Sequence, residues 1–497
     1  MNTDELKQNN HSYRQIMKAT SIFGGVQVFN ILVSILRSKV IAVLLGPAGI
    51  GIAGLFSSTI LLIGSLTNFG IGISAVKDIA SANESQDDHK IARVVAVVRR
   101  LVWFTAFLGA LLTLFLSPWL SELTFGNKAY TLAFIWLSLT VLFNQVTSGQ
   151  HVLLQGLRRL NDLAKSNMIG SGLALVVSVP LYYYLSIDGI VPALVVTAIF
   201  TFAVSRYYSS KVKIAHTLVT LKETGREGRG MMLMGLLMTL SGAKVLAEAY
   251  VIRIFINYVG NVEEVGLYNA GIALINTYVG LLFTAMQPDY FARLAAVADD
   301  NTKANGLINQ QLEIAVLILS PVLLVLLIFI NWVIILLYST EFVSINMMIY
   351  WAFLGLFFRV TAWVVGFLFI AKGKSRLFFW SELISTVYLL GLNLLGYYYG
   401  GLEGLGFGLM CAYLLYLVQI YVIMHTRYGF VFNAGFIKIV TLQFTLALIC
   451  FLITKFFVAP WTYLIAAPVI VFSVWYSFKE LDKRLHLKEL LNKYIKR

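Results

Sequence analysis

The chain has 497 residues, 59% of them hydrophobic and 12% charged, with a formal net charge of +14. A composition this apolar excludes an ordinary set of water-soluble domains. The surplus Lys and Arg are strung along many short segments, which excludes a compact nucleic-acid-binding face and matches bases set beside anionic lipid headgroups.

Taken in chain order, apolar runs of about 20 residues, the length a helix needs to cross hydrocarbon, recur from end to end. They fall at 18–44, 49–76, 94–116, 131–154, 166–186, 189–208, 231–257, 266–288, 310–337, 344–370, 377–396, 403–424, 437–457 and 461–477. The fold class is therefore all-α integral membrane, with about fourteen transmembrane helices. Membrane β-strands are half that length and alternate in polarity, so a barrel is excluded. The opening MNTDELKQNNHSYRQIMK has no compact basic region before a short apolar core, and the first run is read as a retained span. Cys411 and Cys450 lie inside runs and read as small packing residues, and the histidines lack ligand spacing. No metal, cofactor or catalytic group is expected.

The loops sort by charge. Lys77, Lys90, Arg93, Arg99 and Arg100 share one connection, Arg158, Arg159 and Lys165 another, and Arg206 to Arg229 a third. Lys372, Lys374, Arg376 and the tail FKELDKRLHLKELLNKYIKR lie on the same side. The alternate loops carry Glu122, Asp188, Glu263, Glu264, Glu341 and Glu403. The positive-inside rule then puts both termini in the cytoplasm. The tail sets Leu481, Leu485 and Leu491 among lysines and reads as an interfacial amphipathic helix.

A phrase occurs twice. LYYYLSIDG, beginning at residue 181, returns 215 positions later as GYYYGGLEG. At the same offset Gly51 matches Gly266 and Gly189 matches Gly404, and the basic turn GLRRLNDLAK corresponds to AKGKSRLF. Spans one to six and seven to twelve are thus read as two copies of one unit. An even number of crossings per copy makes them parallel six-helix lobes related by a pseudo-twofold along the membrane normal, with two extra C-terminal helices outside the duplication. The predicted division is 1–209 for the N-terminal lobe, 210–230 for a cytoplasmic linker, 231–425 for the C-terminal lobe, 426–477 for the added helices and 478–497 for the tail. Two such lobes enclose a cleft of the kind in which transporters hold substrate.

Ionisable side chains within spans are costly and are candidates for function. The bases are Arg37, Lys39, Lys244, Arg253 and Arg359; the carboxylates are Glu248, Asp289, Glu313 and Glu382. The excess of bases makes an anion the expected cargo. Other readings stand beside this one: Arg37, Lys39 and Arg253 are near enough to span ends to snorkel, Lys244 and Glu248 are spaced to neutralise each other, and Asp289 is spaced to pair with Arg293. Arg359, in LGLFFRVTAWVVG, has no acid within one turn. Asn144 is its repeat equivalent and a second candidate donor for sugar or phosphate oxygens. GIGISA at 70–75 has the glycine spacing of a dinucleotide loop but lies in an apolar run, so close helix packing explains it better.

The segments RSKVIAVLLGPAGIGIAGLF, NFGIGISAVKDIAS and LLQGLRRLNDLAKSN, in this order, resemble the polysaccharide-transport branch of the multidrug/oligosaccharidyl-lipid/polysaccharide exporter superfamily, the O-antigen flippases. The resemblance covers 15–425. It implies a bacterial inner-membrane protein that moves an undecaprenyl-diphosphate-linked oligosaccharide from the cytoplasmic to the outer leaflet, with glycan polymerase and chain-length proteins as partners. On that reading Arg37, Lys39, Lys244, Arg253, Arg359 and Asn144 contact substrate. Proton or sodium coupling would fall to Glu248, Asp289 and Glu382. The alternatives are a multidrug/cation antiporter of the same fold, which needs an acidic cavity, and a membrane glycan polymerase or ligase, which needs acid/base groups on a substantial outer loop. The longest outer loop here is 117–130.

Overall fold

The computed structural model describes residues 3–485 except 215, 216 and 218; side chains at 3–23, 221, 234, 237, 238, 240, 241, 277–279, 281, 282, 284, 285, 288 and 485 lie outside that description. The described chain is helical throughout. Helix α1 (Thr3–Thr67) is followed by α2 (Ile71–Glu84), α3 (Asp88–Phe115), α4 (Ser117–Phe125), α5 (Thr131–Gly156), α6 (Leu160–Leu185) and α7 (Ile190–Ser210). Then come α8 (Leu221–Val259), α9 (Val262–Ala296), α10 (Asn301–Leu337), α11 (Asn346–Ala371), α12 (Ser375–Tyr428), α13 (Ala434–Phe456) and α14 (Trp461–Leu485).

These helices accommodate the fourteen expected crossings. Nine stretches among the described residues are long and apolar enough to cross a membrane, and three of them, at 24–67, 160–210 and 375–428, are long enough to cross twice. Each of the three is broken in the middle. In α1 the break is Gly46, at φ 63°, with Pro47 opening the next helical stretch; glycine accepts the left-handed backbone and proline needs no amide partner in a first turn. In α12 it is Gly400 and Gly401. Between α6 and α7 it is the tight turn Ser186–Gly189. Helices α8 and α9 stand where the seventh and eighth spans are expected.

Three elements differ from expectation. The second span ends at Thr67, because Phe69 and Gly70 both adopt positive φ and restart the chain as α2. GIGISA therefore begins a helix, and Gly70 packs against the backbone of Gly235 on α8 with no room for a Cβ. The outer loop 117–130 contains a nine-residue helix, α4, started by Pro118 in its first turn. The interval 210–230 already contains the start of α8, where Thr220 and Glu223 form a reciprocal capping box. Residues 478–485 continue α14; the rest of the predicted tail, Leu491 included, lies outside the described residues.

The doubled phrase has a doubled structure. Tyr182 is 1% exposed while Tyr183 and Tyr184 are 66% and 80% exposed; Tyr397 is 4% exposed, with Tyr398 and Tyr399 at 62% and 82%. A Cβ on Gly189 would strike the Leu181 carbonyl, and one on Gly404 would strike the Gly396 carbonyl, the same pair displaced by the repeat. At the basic turn, Arg158 and Gly373 both take positive φ. There Arg159 N donates to Leu154 O at 2.8 Å as Lys374 N donates to Phe369 O at 2.9 Å. Asp87 caps α3 through His89 N and Lys90 N, and Asp300 caps α10 through Thr302 N and Lys303 N.

The chain forms two compact units, Met1–Gly266 and Leu267–Arg497. In the first, Phe56, Phe134, Leu137 and Tyr182 form one buried cluster and Ile71, Ile79, Val98 and Leu101 another. Helix α8 belongs to this unit: Arg93 of α3 pairs with Glu223 and Glu227 at 3.3 and 2.6 Å, and Tyr250 shares a 2.6 Å hydrogen bond with Thr124 of α4. The unit's last residue, Gly266, packs backbone to backbone on the Pro47–Gly51 turn. The compact boundary thus lies past α8, whereas the repeat boundary is defined by sequence correspondence. In the second unit α11 is buried along most of its length, as its all-round apolar sequence requires. Helices α13 and α14 are joined by a satisfied polar contact, Gln443 Nε2 donating to Ser477 Oγ at 2.9 Å and accepting on Oε1 from Ser473 Oγ at 2.7 Å.

The outward faces are apolar as well. Phe104, Phe107, Leu132, Trp136, Trp332 and Leu336 are all exposed. Such a surface is untenable in water and suits lipid.

Candidate functional site

Arg359 lies near the middle of α11. Its Nη1 donates to Asn276 Oδ1 of α9 at 3.3 Å and to the Tyr413 hydroxyl of α12 at 3.2 Å. The guanidinium carbon also sits 5.2 Å from the centre of the Tyr413 ring. Neutral dipoles and a π face orient the charge without cancelling it. Among the described residues no carboxylate pairs with Arg359.

Tyr413 and Tyr416 are one turn apart on α12 and share a face. Tyr416 donates to Glu382 Oε1 at 2.6 Å. One turn further, Gln419 Nε2 donates to the Ser381 carbonyl at 2.9 Å and its hydroxyl at 2.8 Å. These two tyrosines thus engage Arg359 and Glu382 from one face of α12. Nearby on α12, the Tyr388 hydroxyl, Gln419 Oε1 and both amide atoms of Asn393 are buried without protein partners among the described residues. Buried polar atoms in native folds are normally satisfied, so these are places for water, an ion or ligand oxygens.

The other predicted residues have varied surroundings. Arg37 Nη2 reaches the hydroxyl of Tyr182, the first tyrosine of the doubled phrase, at 3.4 Å. Arg253 donates to the carbonyl of Ala249 on its own helix at 2.8 Å. Lys39, Lys244 and Glu248 are half-buried and engaged in further interactions. Asn144 is exposed. Its neighbour Gln145 is a buried strut, donating to Thr67 Oγ1 at 2.6 Å, and Asn30 likewise accepts from Ser171 at 2.9 Å. Asp289 forms the ion pair with Arg293 that its spacing allows, at 2.8 Å. Glu313, nearly buried, is held by Arg484 at 2.7 Å. Arg37, Lys39, Asn144, Lys244, Glu248 and Arg253 belong to the first unit; Asp289, Arg359 and Glu382 belong to the second.

Arg359 and Glu382 are each engaged by a tyrosine of α12, Tyr413 and Tyr416, one turn apart. Sequence reasoning missed both of these partners, Tyr413 and Tyr416. Two tyrosines at helical spacing within an apolar span were the available signal.

The family model for polysaccharide biosynthesis proteins matches residues 40–346. Lipid III flippase of Escherichia coli (strain K12) is 24% identical over 358 residues, covering 70% of this chain and 83% of that protein. Lipid III flippase of Shigella flexneri matches to the same extent. Among solved structures, the inward-facing conformation of a multidrug resistance MATE family transporter of the MOP superfamily aligns with a TM-score of 0.65 at 16% identity, over 80% of this chain and 94% of that one. Lipid II flippase MurJ in its inward closed conformation aligns with a TM-score of 0.65 at 12% identity, over 94% and 99%. At these identities the two structures establish a shared fold. The family match spans more than half of the chain, which belongs to the polysaccharide biosynthesis protein family.

Proposed function

We propose that this chain is a flippase for a lipid-linked oligosaccharide, carrying an undecaprenyl-diphosphate-linked O-antigen unit or related glycan from the cytoplasmic to the outer leaflet of a bacterial inner membrane. Family membership, the lipid III flippase relatives and the fold shared with a lipid II flippase support the reading. The observation that carries it is Arg359, a mid-span cation whose partners among the described residues are all neutral.

The chemistry follows from the headgroup. A diphosphate cannot enter hydrocarbon unaided, because desolvating even one charge without compensation costs tens of kcal/mol in the idealised Born limit. Arg359 supplies a planar guanidinium suited to phosphate oxygens. Arg37, Lys39, Lys244 and Arg253 would continue a cationic path, and Asn144 and Asn276 would receive sugar hydroxyls. The lipid tail stays in the bilayer. Residues 1–209 and 231–425 act as rocking lobes that expose the headgroup to each side in turn, with both termini cytoplasmic as the basic loops favour. Outward movement of an anion gains about 2.3 kcal/mol per charge per 100 mV, interior negative. Of the coupling candidates, Glu382 is favoured over Asp289 because the tyrosine that engages it, Tyr416, stands one turn from Tyr413, the partner of Arg359, while Asp289 is taken up by an exposed pair. Glu248 is retained as a candidate. No catalytic step is assigned, and glycan polymerase and chain-length proteins are proposed partners.

A drug/cation antiporter is the second reading, favoured by the MATE-like fold; an uncompensated arginine opposes cationic cargo. A glycan polymerase or ligase is opposed by the short outer loops. The test is reconstitution of the full chain in liposomes with a fluorescent undecaprenyl-diphosphate oligosaccharide. Leaflet transfer above that of protein-free vesicles is expected, whereas efflux of an organic cation with no glycolipid transfer would replace this reading with the antiporter.

A further inference from the structure

We propose that a groove of the first unit, beside the α6–α7 turn, binds a zwitterionic phospholipid whose headgroup ends in a primary amine. The groove shares no residue with the site proposed above.

The groove has a volume of about 590 Å³, within the range of small-molecule sites. Its lining includes Phe56 of α1, Tyr130 and Leu132 at the start of α5, Trp136 one turn further along, Asp188 of the turn and Pro192 of α7. Phe56 forms a fixed apolar floor: it is fully buried, and its ring meets Tyr130 at 5.9 Å and Phe134 at 5.4 Å. Asp188 is the only charged side chain in the lining. Among the described residues its carboxylate has no hydrogen-bond or ion-pair partner, and the Trp136 indole N–H has no acceptor. Lys128, on the loop that leads to Tyr130, is turned to Glu122 at 3.8 Å instead.

The second copy of the repeat shows the same residues closed on each other. At the 215-residue offset Trp136 and Asp188 become Trp351 and Glu403, and there Trp351 Nε1 donates to Glu403 Oε1 at 3.3 Å. Pro192 becomes Phe407, whose ring meets Trp351 edge-on at 5.1 Å, and Phe451 of α13 packs on the same indole at 4.7 Å. Donor and acceptor are satisfied in that copy, and aromatic rings fill the space. In the first copy both groups stand open over the floor of Phe56.

A ligand that complements the open pair carries a cationic donor for Asp188, an acceptor for Trp136 and an apolar body for the floor. Phosphatidylethanolamine has all three: an ammonium with three N–H donors, phosphate oxygens and acyl chains. A choline headgroup lacks the N–H donors, and a glycerol headgroup lacks the cation. The exposed Tyr183 and Tyr184 just before the turn mark the level at which headgroups lie.

The experiment is native mass spectrometry of the delipidated full chain, titrated with dioleoylphosphatidylethanolamine, dioleoylphosphatidylcholine or dioleoylphosphatidylglycerol. Phosphatidylethanolamine should bind in preference to the other two. D188N should weaken its binding about tenfold and remove the preference. P192F, which places a ring where the second copy has Phe407, should exclude the lipid. E403Q removes the same charge from the second copy and should bind as the parent does. Undiminished binding by either D188N or P192F, at an unchanged melting temperature, overturns the site, as does equal weakening by E403Q. Equal binding of phosphatidylcholine and phosphatidylethanolamine by the parent overturns the amine assignment. A lipid-free dimer that P192F dissolves would overturn the lipid in favour of a second copy of the chain.

Discussion

Arg359 of α11 and Tyr413 of α12 meet twice, through a 3.2 Å hydrogen bond and through the ring face 5.2 Å from the guanidinium. The arrangement fixes the charge in direction and, among the described residues, leaves it without a carboxylate partner. For the diphosphate carrier proposed above that is the useful state, since a carboxylate partner would compete with the cargo.

Removing this charge should stop transport without unfolding the chain. Arg359→Ala is expected to slow glycolipid transfer in liposomes at least tenfold, about 1.4 kcal/mol in the barrier, and Arg359→Lys should fall between because it keeps the charge and loses the fork. Size-exclusion profile and melting temperature report folding independently. Normal transfer by Arg359→Ala would remove Arg359 from the mechanism.

Glu382 is engaged by the Tyr416 hydroxyl at 2.6 Å. If this carboxylate carries the coupling ion, Glu382→Gln should make transfer insensitive to an imposed proton or sodium gradient. Tyr416→Phe should keep the sensitivity at a reduced rate. Transfer rates measured with and without each gradient decide this, and full gradient dependence in Glu382→Gln would move coupling elsewhere.

Gly189 and Gly404 are equivalent in the repeat and meet equivalent carbonyls, Leu181 O and Gly396 O. Ala at either position should cost about 1–3 kcal/mol through forced backbone displacement, by similar amounts in the two copies. A Cβ added at Gly391 would meet nothing within 4 Å, so Gly391→Ala, in the same helix as Gly404, should be neutral or stabilising. Melting temperatures in detergent provide the comparison; unequal effects at 189 and 404 would contradict equivalence of the two turns.

Asp300 begins α10 as an N-cap. Its carboxyl is held below the ordinary carboxylate range, first by the Lys303 backbone amide; desolvation, next in size, opposes this, and the Lys303 side chain and the Thr302 amide add to the lowering. A depressed folded-state value means that this stabilisation is present above the unfolded value of about 3.8 and is lost as pH falls through the folded value. Asp300→Ala should therefore lower the melting temperature at pH 7 and have less effect at pH 3. Asp300→Asn keeps a cap without the charge and should vary less with pH. Equal losses at both pH values for Asp300→Ala would refute the contribution of the charge.

Much of the architecture was legible because it rests on local rules. In hydrocarbon each span must satisfy its own backbone hydrogen bonds, so the length of an apolar run reports a helix. The Gly46–Pro47 break and the Gly400–Gly401 break are written in residues with distinctive backbone preferences. The Asp289–Arg293 pair is one helical turn apart and needs only α9. Less legible were the restart at Phe69, where a bulky side chain takes a positive φ, and the cap at Asp300, whose partner at Asp87 is offset from the main repeat register by two residues.

Sequence by itself determined the helical membrane class, the recurrence of apolar runs of spanning length, the doubled phrase and the short list of charges worth following, since each depends on residues close in the chain or on direct recurrence. Only the tertiary structure decided what those charges meet. Arg359 meets Tyr413 across 54 positions and Glu382 meets Tyr416 across 34. Such pairings arise from how helices pack against one another, and the apolar pattern that drives the packing names the buried face without naming the polar residue that will stand opposite.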